Sequence, residues 1–446
     1  MAKDKHLSFP MMNIIIKTNC YEKESEKICR GTLLLIATAC GKTGTDPAKE
    51  PTPTPEPEPE PSPVVAEDLS KNGSSNCYII VKEGGYSFDA TVKGNGAATE
   101  GLAAPEKMTP DSAALVWETS KGMITDVAFK DGKITFNASA QNGNALIAVY
   151  SADKAIVWSW HIWFPEENVK TVTAKSGYEV MNMNLGAMTS TFGSAPDVKP
   201  YGLLYQWGRK DPFPSAPSLT GNEKTQPVPV YGPDGAEVKI TYSLWSSVEN
   251  NTIEYSIANP TKCLSNYAQY NTSRDWLKAS DSNDALWGNP KGDERNSDNN
   301  YVNKGSKSFY DPCPVGYRVP PADVFRTFTT TGGYIQDPSS FDVVDLNGDV
   351  VIDTRDYNYG WSFNMKEGSL FFPAAARYDG SYAMLMGSKS GLWGSYWGNS
   401  PAKSYGATTG FGFCVLAFMN EAAGTSVSAT ASAGRADAYS VRCVKE

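Results

Sequence analysis

The sequence predicts a mainly β protein with some α, organised as two folded domains behind a non-globular leader. Three observations carry this. At 446 residues the chain is longer than one ordinary core accommodates, so two domains are the natural expectation. It holds 39 Gly, 29 Pro and 23 Tyr, a composition that suits many short strands and turns better than long helices. From residue 67 onward, short runs of β-branched and aromatic residues recur between Gly, Asp and Asn pairs.

The leader occupies residues 1–39. No apolar run reaches the ~20 residues that a membrane-spanning helix needs. A shorter apolar core, Gly31 to Ala39, follows Lys27 and Arg30 and ends at Cys40. A basic start, a short apolar stretch and small residues before the cut are the parts of a secretory signal. Leu35-Ile36-Ala37-Thr38-Ala39-Cys40 resembles a bacterial lipobox, which implies lipidation of Cys40, with Ala37 standing where Leu is favoured. Residues 40–66 form a Pro/Glu-rich linker. Pro alternates with Thr, Glu and Ser from Pro51 to Pro63, holding the chain in an extended polyproline form whose Glu residues repel one another. Anchor, spacer and folded domains together predict a cell outer-membrane lipoprotein, surface-exposed and touching the membrane only through lipid.

Residues 67–168 read as an Ig-like β-sandwich. Cys77 to Val81, Tyr86 to Val92, and Asp126 to Phe129 with Lys133 to Asn137 around Asp131-Gly132 all carry strand patterning. In the run Ile156 to Phe164, Trp158, Trp160, Ile162 and Phe164 share one face, and Ser159, His161 and Trp163 share the other. Core filling is the favoured reading of Trp158 and Trp160, with an aromatic ligand platform as the alternative.

In residues 170–446, five motifs occur in order: Tyr201 to Trp207, Asp311 to Pro320, Phe371 to Arg377, Tyr396-Trp397 and Ser440 to Val444. The series resembles the "Fibrobacter succinogenes major paralogous" domain of Bacteroidetes surface lipoproteins and fimbrial tip-like proteins. That resemblance implies an α+β C-type lectin-like fold following the N-terminal Ig-like β-sandwich, and a role in adhesion or display. In a lectin-like fold, a bond from Cys313 to Cys443 would tie the domain ends together. Cys263–Cys414 is the second pairing, and buried thiols throughout are the alternative. The lectin calcium–sugar triplets are missing; the nearest string is Trp397-Gly398-Asn399.

Chemistry is constrained by what the chain lacks. Its two histidines are His6, in the leader, and His161, so residues 170–446 hold no imidazole for a triad, a zinc site or acid–base work. The carboxylates Asp281, Asp284, Asp293 and Glu294 lie in a stretch that reads as a solvated loop. Removing residues 1–39 takes away six basic and four acidic residues, which leaves 34 basic against 45 acidic, a charge of −11 that disfavours nucleic acid.

Two segments remain as candidate sites. Asp345, Asn347, Asp349, Asp353 and Asp356 have the spacing of a calcium loop, with Val350 at the sixth place, where the turn calls for Gly. A hairpin at Asn347-Gly348 is the favoured alternative. Arg377 to Tyr405 is dense in Tyr, Trp, Ser, Gly and Asn, and Tyr378, Tyr382, Trp393, Tyr396, Trp397, Asn399 and Tyr405 are the expected contact residues for a protein or glycan, an aromatic core being the alternative. The function expected is a non-catalytic adhesin, a fimbrial tip subunit among others that contacts further pilus subunits. Polysaccharide capture for nutrient uptake is the runner-up.

Overall fold

The computed structural model describes residues 66–243, 250–265, 274–278, 281–292, 302–401, 407–415 and 425–446. The leader, Cys40, the proline-rich linker before residue 66, Asp293, Glu294 and Tyr405 lie outside the described residues. The chain from Pro63 to Glu446 forms one compact unit. It is mainly β with few helices.

Eight strands build the first part of this unit: β1 (Glu67–Asp68), β2 (Cys77–Ile79), β3 (Gly84–Asp89), β4 (Ser112–Glu118), β5 (Ile124–Lys130), β6 (Lys133–Ala138), β7 (Gly143–Tyr150) and β8 (Ile156–Phe164). One sheet runs β1-β3-β6-β5, and a second contains β4-β7-β8-β2. The β5–β6 hairpin turns at Asp131 and Gly132, both with positive φ (52° and 80°), as its tight two-residue loop demands. Period-two patterning sends Tyr86, Phe88, Ile134 and Phe136 of one sheet into a core shared with Leu115, Ile147, Trp158, Trp160 and Ile162 of the other. Each fully buried side chain of this size contributes roughly 1.5–3 kcal/mol.

Strand β8 has no solvent face. Behind it, Trp163 donates to the Ala187 carbonyl at 2.7 Å and Ser159 donates to the Asp211 carboxylate at 2.5 Å. The strands Val230–Tyr231 and Glu237–Val238 add to this sheet at β4. Trp117, Leu146 and Trp163 of the first region accordingly share one core cluster with Tyr205, Trp207 and Trp397 of the second, because both faces of one sheet need cover.

The second part is organised by a sheet with the order Phe213–Pro214, Leu203–Gln206, Ala438–Ser440, Trp393–Pro401, Ala407–Val415, Thr425–Gly434 and Tyr334–Ile335. The sequence motifs meet here. Trp397 donates to the Tyr205 carbonyl (2.5 Å), Trp207 to that of Gly398 (2.9 Å), and Tyr396 to that of Pro373 (2.7 Å). Arg442 is fully buried; it donates to Asn184 (2.8 Å) and to the Phe371 carbonyl (2.8 Å), and its guanidinium lies 4.3 Å from the Phe372 ring centroid. Burial pulls its pKa down to about 10, so it stays charged at neutral pH.

Cys313 and Cys443 are joined by a disulfide across 130 residues, with Cα atoms 6.1 Å apart. The turn before it is shaped by Asp311, which accepts from the backbone of Cys313 and Val319, both at 2.8 Å. Lys307 donates to the carbonyls of Cys313 (2.8 Å) and Pro314 (2.9 Å). Cys263 is a free buried thiol, so the Cys263–Cys414 pairing is not formed. Pro321 leads directly into a 3-10 helix, Ala322–Phe328.

Candidate functional site

The segment expected to form a contact surface is mostly core. Tyr378, Tyr396, Trp397 and Asn399 are each 0% exposed. Tyr378 donates to the Pro214 carbonyl (2.7 Å), and Asn399 to that of Lys304 (3.0 Å). These four are core rather than surface, which corrects the surface reading: Tyr396, Trp397 and Asn399 lie on the strand Trp393–Pro401 through the middle of the sheet, where large rings find neighbours on both faces, and Tyr378 lies on a short strand beside Ala438. Trp393 is half-buried, its ring 4.8 Å from both Arg377 and Lys389. Tyr382 is 65% exposed.

What this core supports is a polar cleft of about 190 Å³, lined by Arg274, Arg377, Asp379, Ser381, Asp437 and Tyr439 among others. Its geometry follows from one register. Tyr378 pairs with Ala438 in an antiparallel ladder, so Arg377 stands opposite Tyr439, and Asp379 opposite Asp437. Arg377 donates to the Tyr439 hydroxyl (3.3 Å) and to Asp379 (3.3 Å). Tyr439 donates to Asp437 at 3.0 Å, and the Gly380 amide donates to the same carboxylate at 2.8 Å. Trp397 stacks behind Tyr439 at 4.1 Å and fixes its ring. Burial pushes the Asp437 carboxyl up to about 6, and the Asp379 carboxylate adds to this while Arg377 opposes it. The exposed Tyr382 donates its backbone amide to the Asp379 carboxylate at 3.4 Å.

Composition alone missed Asp379, Asp437 and Tyr439. A usable signal was the repeated Arg-x-Asp, at Arg377-Tyr378-Asp379 and Arg435-Ala436-Asp437. Where the chain is extended, residues two apart point the same way, which puts Arg377 and Asp379 on one face; Arg435 and Asp437 lie instead in the turn between Thr425–Gly434 and Ala438–Ser440. The second pair divides: Arg435 turns to Asp275 (3.6 Å) and Asp284, while Asp437 faces the cleft. Asp284 is thus an ion-pair partner, and Asp281 pairs with Lys278 at 3.3 Å.

The Asp345–Asp356 segment is neither the expected hairpin nor a gathered set of metal ligands. Val350 to Ile352 form no strand. The Asp345 carboxylate instead accepts from the amides of Gly348 (2.6 Å) and Val350 (2.8 Å). Asp356 accepts from Leu346 (2.8 Å) and Asp353 (3.0 Å), and Arg355 holds Asp349 and Asp353, both at 2.7 Å. Asn347 accepts from the amide of Asp349 at 2.9 Å. Among the described residues, no group of three or more His, Cys, Asp or Glu stands in a metal-holding arrangement. These carboxylates are committed to backbone amides and one guanidinium.

His161 is sealed between Asn144 (2.8 Å) and Tyr205 (3.4 Å), and burial pushes its pKa down to about 3, so the imidazole stays neutral at physiological pH. Among the described residues, no helix is long and apolar enough to cross a membrane. No family model matches the chain, and neither a curated protein nor a solved structure matches it.

Proposed function

We infer that the chain is a lipid-anchored cell-surface binding protein, an adhesin or display protein whose C-terminal part recognises a polar ligand, most naturally a glycan. The observation that carries this is the cleft of Arg377, Asp379, Asp437 and Tyr439, whose lining residue Ser381 is followed directly in the chain by the exposed Tyr382. Paired charged groups with fixed hydrogen-bonding geometry and one exposed ring suit a sugar, which offers hydroxyls along its edge and C–H groups on its face. The leader, Cys40 and the proline-rich spacer support placement at the outer membrane, and the five ordered motifs support the paralogous-domain, lectin-like reading of residues 170–446. Membership of a fimbrial tip and capture of polysaccharide for uptake are two uses of the same binding act.

A carbohydrate-active enzyme is the second reading, raised by the Asp379–Asp437 pair and the elevated Asp437 pKa. It is disfavoured because both Asp437 oxygens already accept from Gly380 and Tyr439, which suits holding better than attack. An array of glycans and host-surface proteins probed with the full chain and with Asp437→Asn tests the proposal. Binding by the parent, reduced at least tenfold in the variant, is the expected result. Equal binding by both, or turnover of an arrayed glycan, overturns it.

A further inference from the structure

Of the seven large apolar residues exposed among the described residues, three fall within six positions: Leu346 at 50%, Val350 at 90% and Val351 at 54%. They sit on the Asp345–Asp356 loop, outside the Arg377–Tyr405 segment of the sequence. Val350 also has φ 68°, in the left-handed region. A β-branched side chain is unfavourable there and glycine would suit. This residue is therefore disfavoured twice, by its backbone and by its exposure to water; the Asp345 carboxylate holds its amide in the turn, while its side chain stays 90% exposed.

The loop is also stiff. Asp345 holds the amides of Gly348 and Val350, Asp356 holds those of Leu346 and Asp353, and Asp349 holds that of Val351 at 2.9 Å. An apolar tip fixed before contact loses little entropy on docking. Three aspartates and one arginine with some exposure collar it, a formal charge of −2 counting Asp345, Asp349, Asp353 and Arg355, while Asp356 is buried beneath them. That collar is repelled by anionic lipid and complements a basic rim.

We propose that this loop is a docking finger that seats Val350, flanked by Leu346 and Val351, in an apolar recess of a partner protein rimmed by Lys or Arg. The proposal does not depend on the polar cleft or on its ligand.

The test pans a phage-displayed dodecapeptide library on the immobilised full chain and measures the enriched peptides against Val350→Gly and Val350→Asp. Peptides combining apolar residues with Lys or Arg are expected, bound at least tenfold more weakly by both variants. Val350→Gly keeps the left-handed turn, so it should melt at a higher temperature than the parent while losing the peptides; this separates docking from folding. Enriched peptides that bind parent and Val350→Gly equally, or no enrichment at all, overturn the proposal. So does Val350-dependent binding of the chain to phosphatidylglycerol vesicles, which would make the finger a membrane contact.

Discussion

The strand Trp393–Pro401 and the loop from Asp345 to Asp356 invert what their compositions suggest. The first is rich in the residues of recognition surfaces and lies in the core; the second is rich in charge and displays aliphatic side chains to water. The difference lies in where backbone hydrogen bonds go. In the strand, ladders on both sides take up the backbone, so the rings pack. In the loop, aspartate side chains take up the amides, so Asp356 is buried, Asp345 bends back on its own loop, and Leu346, Val350 and Val351 are left outside.

The largest effect that sharpens this contrast is on stability. Trp397→Ala removes a fully buried indole that stacks on Tyr439 and donates to Tyr205, and should cost ~3–5 kcal/mol in urea unfolding. Tyr382→Ala, fifteen positions earlier and 65% exposed, should stay within about 0.5 kcal/mol. If the two variants unfold alike, the core assignment of the strand is wrong.

How far the sequence foretells this depends on the kind of signal. Hairpins such as Asp131-Gly132 were legible because a two-residue turn demands specific backbone angles that few residues meet. Alternation placed Trp158 and Trp160 on one face, yet it could not say that the opposite face, with Ser159 and Trp163, would also be covered. That cover comes from residues 187 and 211, a tertiary fact without local trace. The same limit hid the cleft, since Asp379 and Asp437 become neighbours only through the pairing of Tyr378 with Ala438. In the loop, Asn347-Gly348 signals a hairpin, but Asp345 and Asp356 offer the amides a closer partner than a second strand would.

A second, smaller effect separates the two regions by pH. In the cleft, Asp437 is raised from 3.8 to about 6, so the native state holds this proton more tightly than the unfolded chain. Its contribution to stability is full below about pH 4 and is lost as pH rises through 6, by at most about 3 kcal/mol for a displacement of two pH units. Asp437→Asn should flatten the stability profile between pH 4 and 6 relative to the parent. A profile unchanged by the substitution would mean that Asp437 ionises as freely as an exposed carboxylate.

The smallest effect has the opposite sign and belongs to the loop. Hydrogen bonds from Val350, then Gly348 and their neighbours, hold Asp345 below the usual carboxylate range. A depressed carboxylate stabilises above its unfolded pKa and ceases to do so as pH falls through its folded one. Acid should therefore loosen the loop below about pH 4, where the cleft is at its firmest. Hydrogen exchange resolves this residue by residue: the Gly348 and Val350 amides should lose protection on acidification while those of the Trp393–Pro401 ladder keep theirs. Asp345→Asn replaces one acceptor oxygen with a donor, so one of the two amides should exchange rapidly even at pH 6, with no further change in acid. If both remain protected in the variant, the aspartate is not what winds the loop, and the apolar tip is held outward by some other contact.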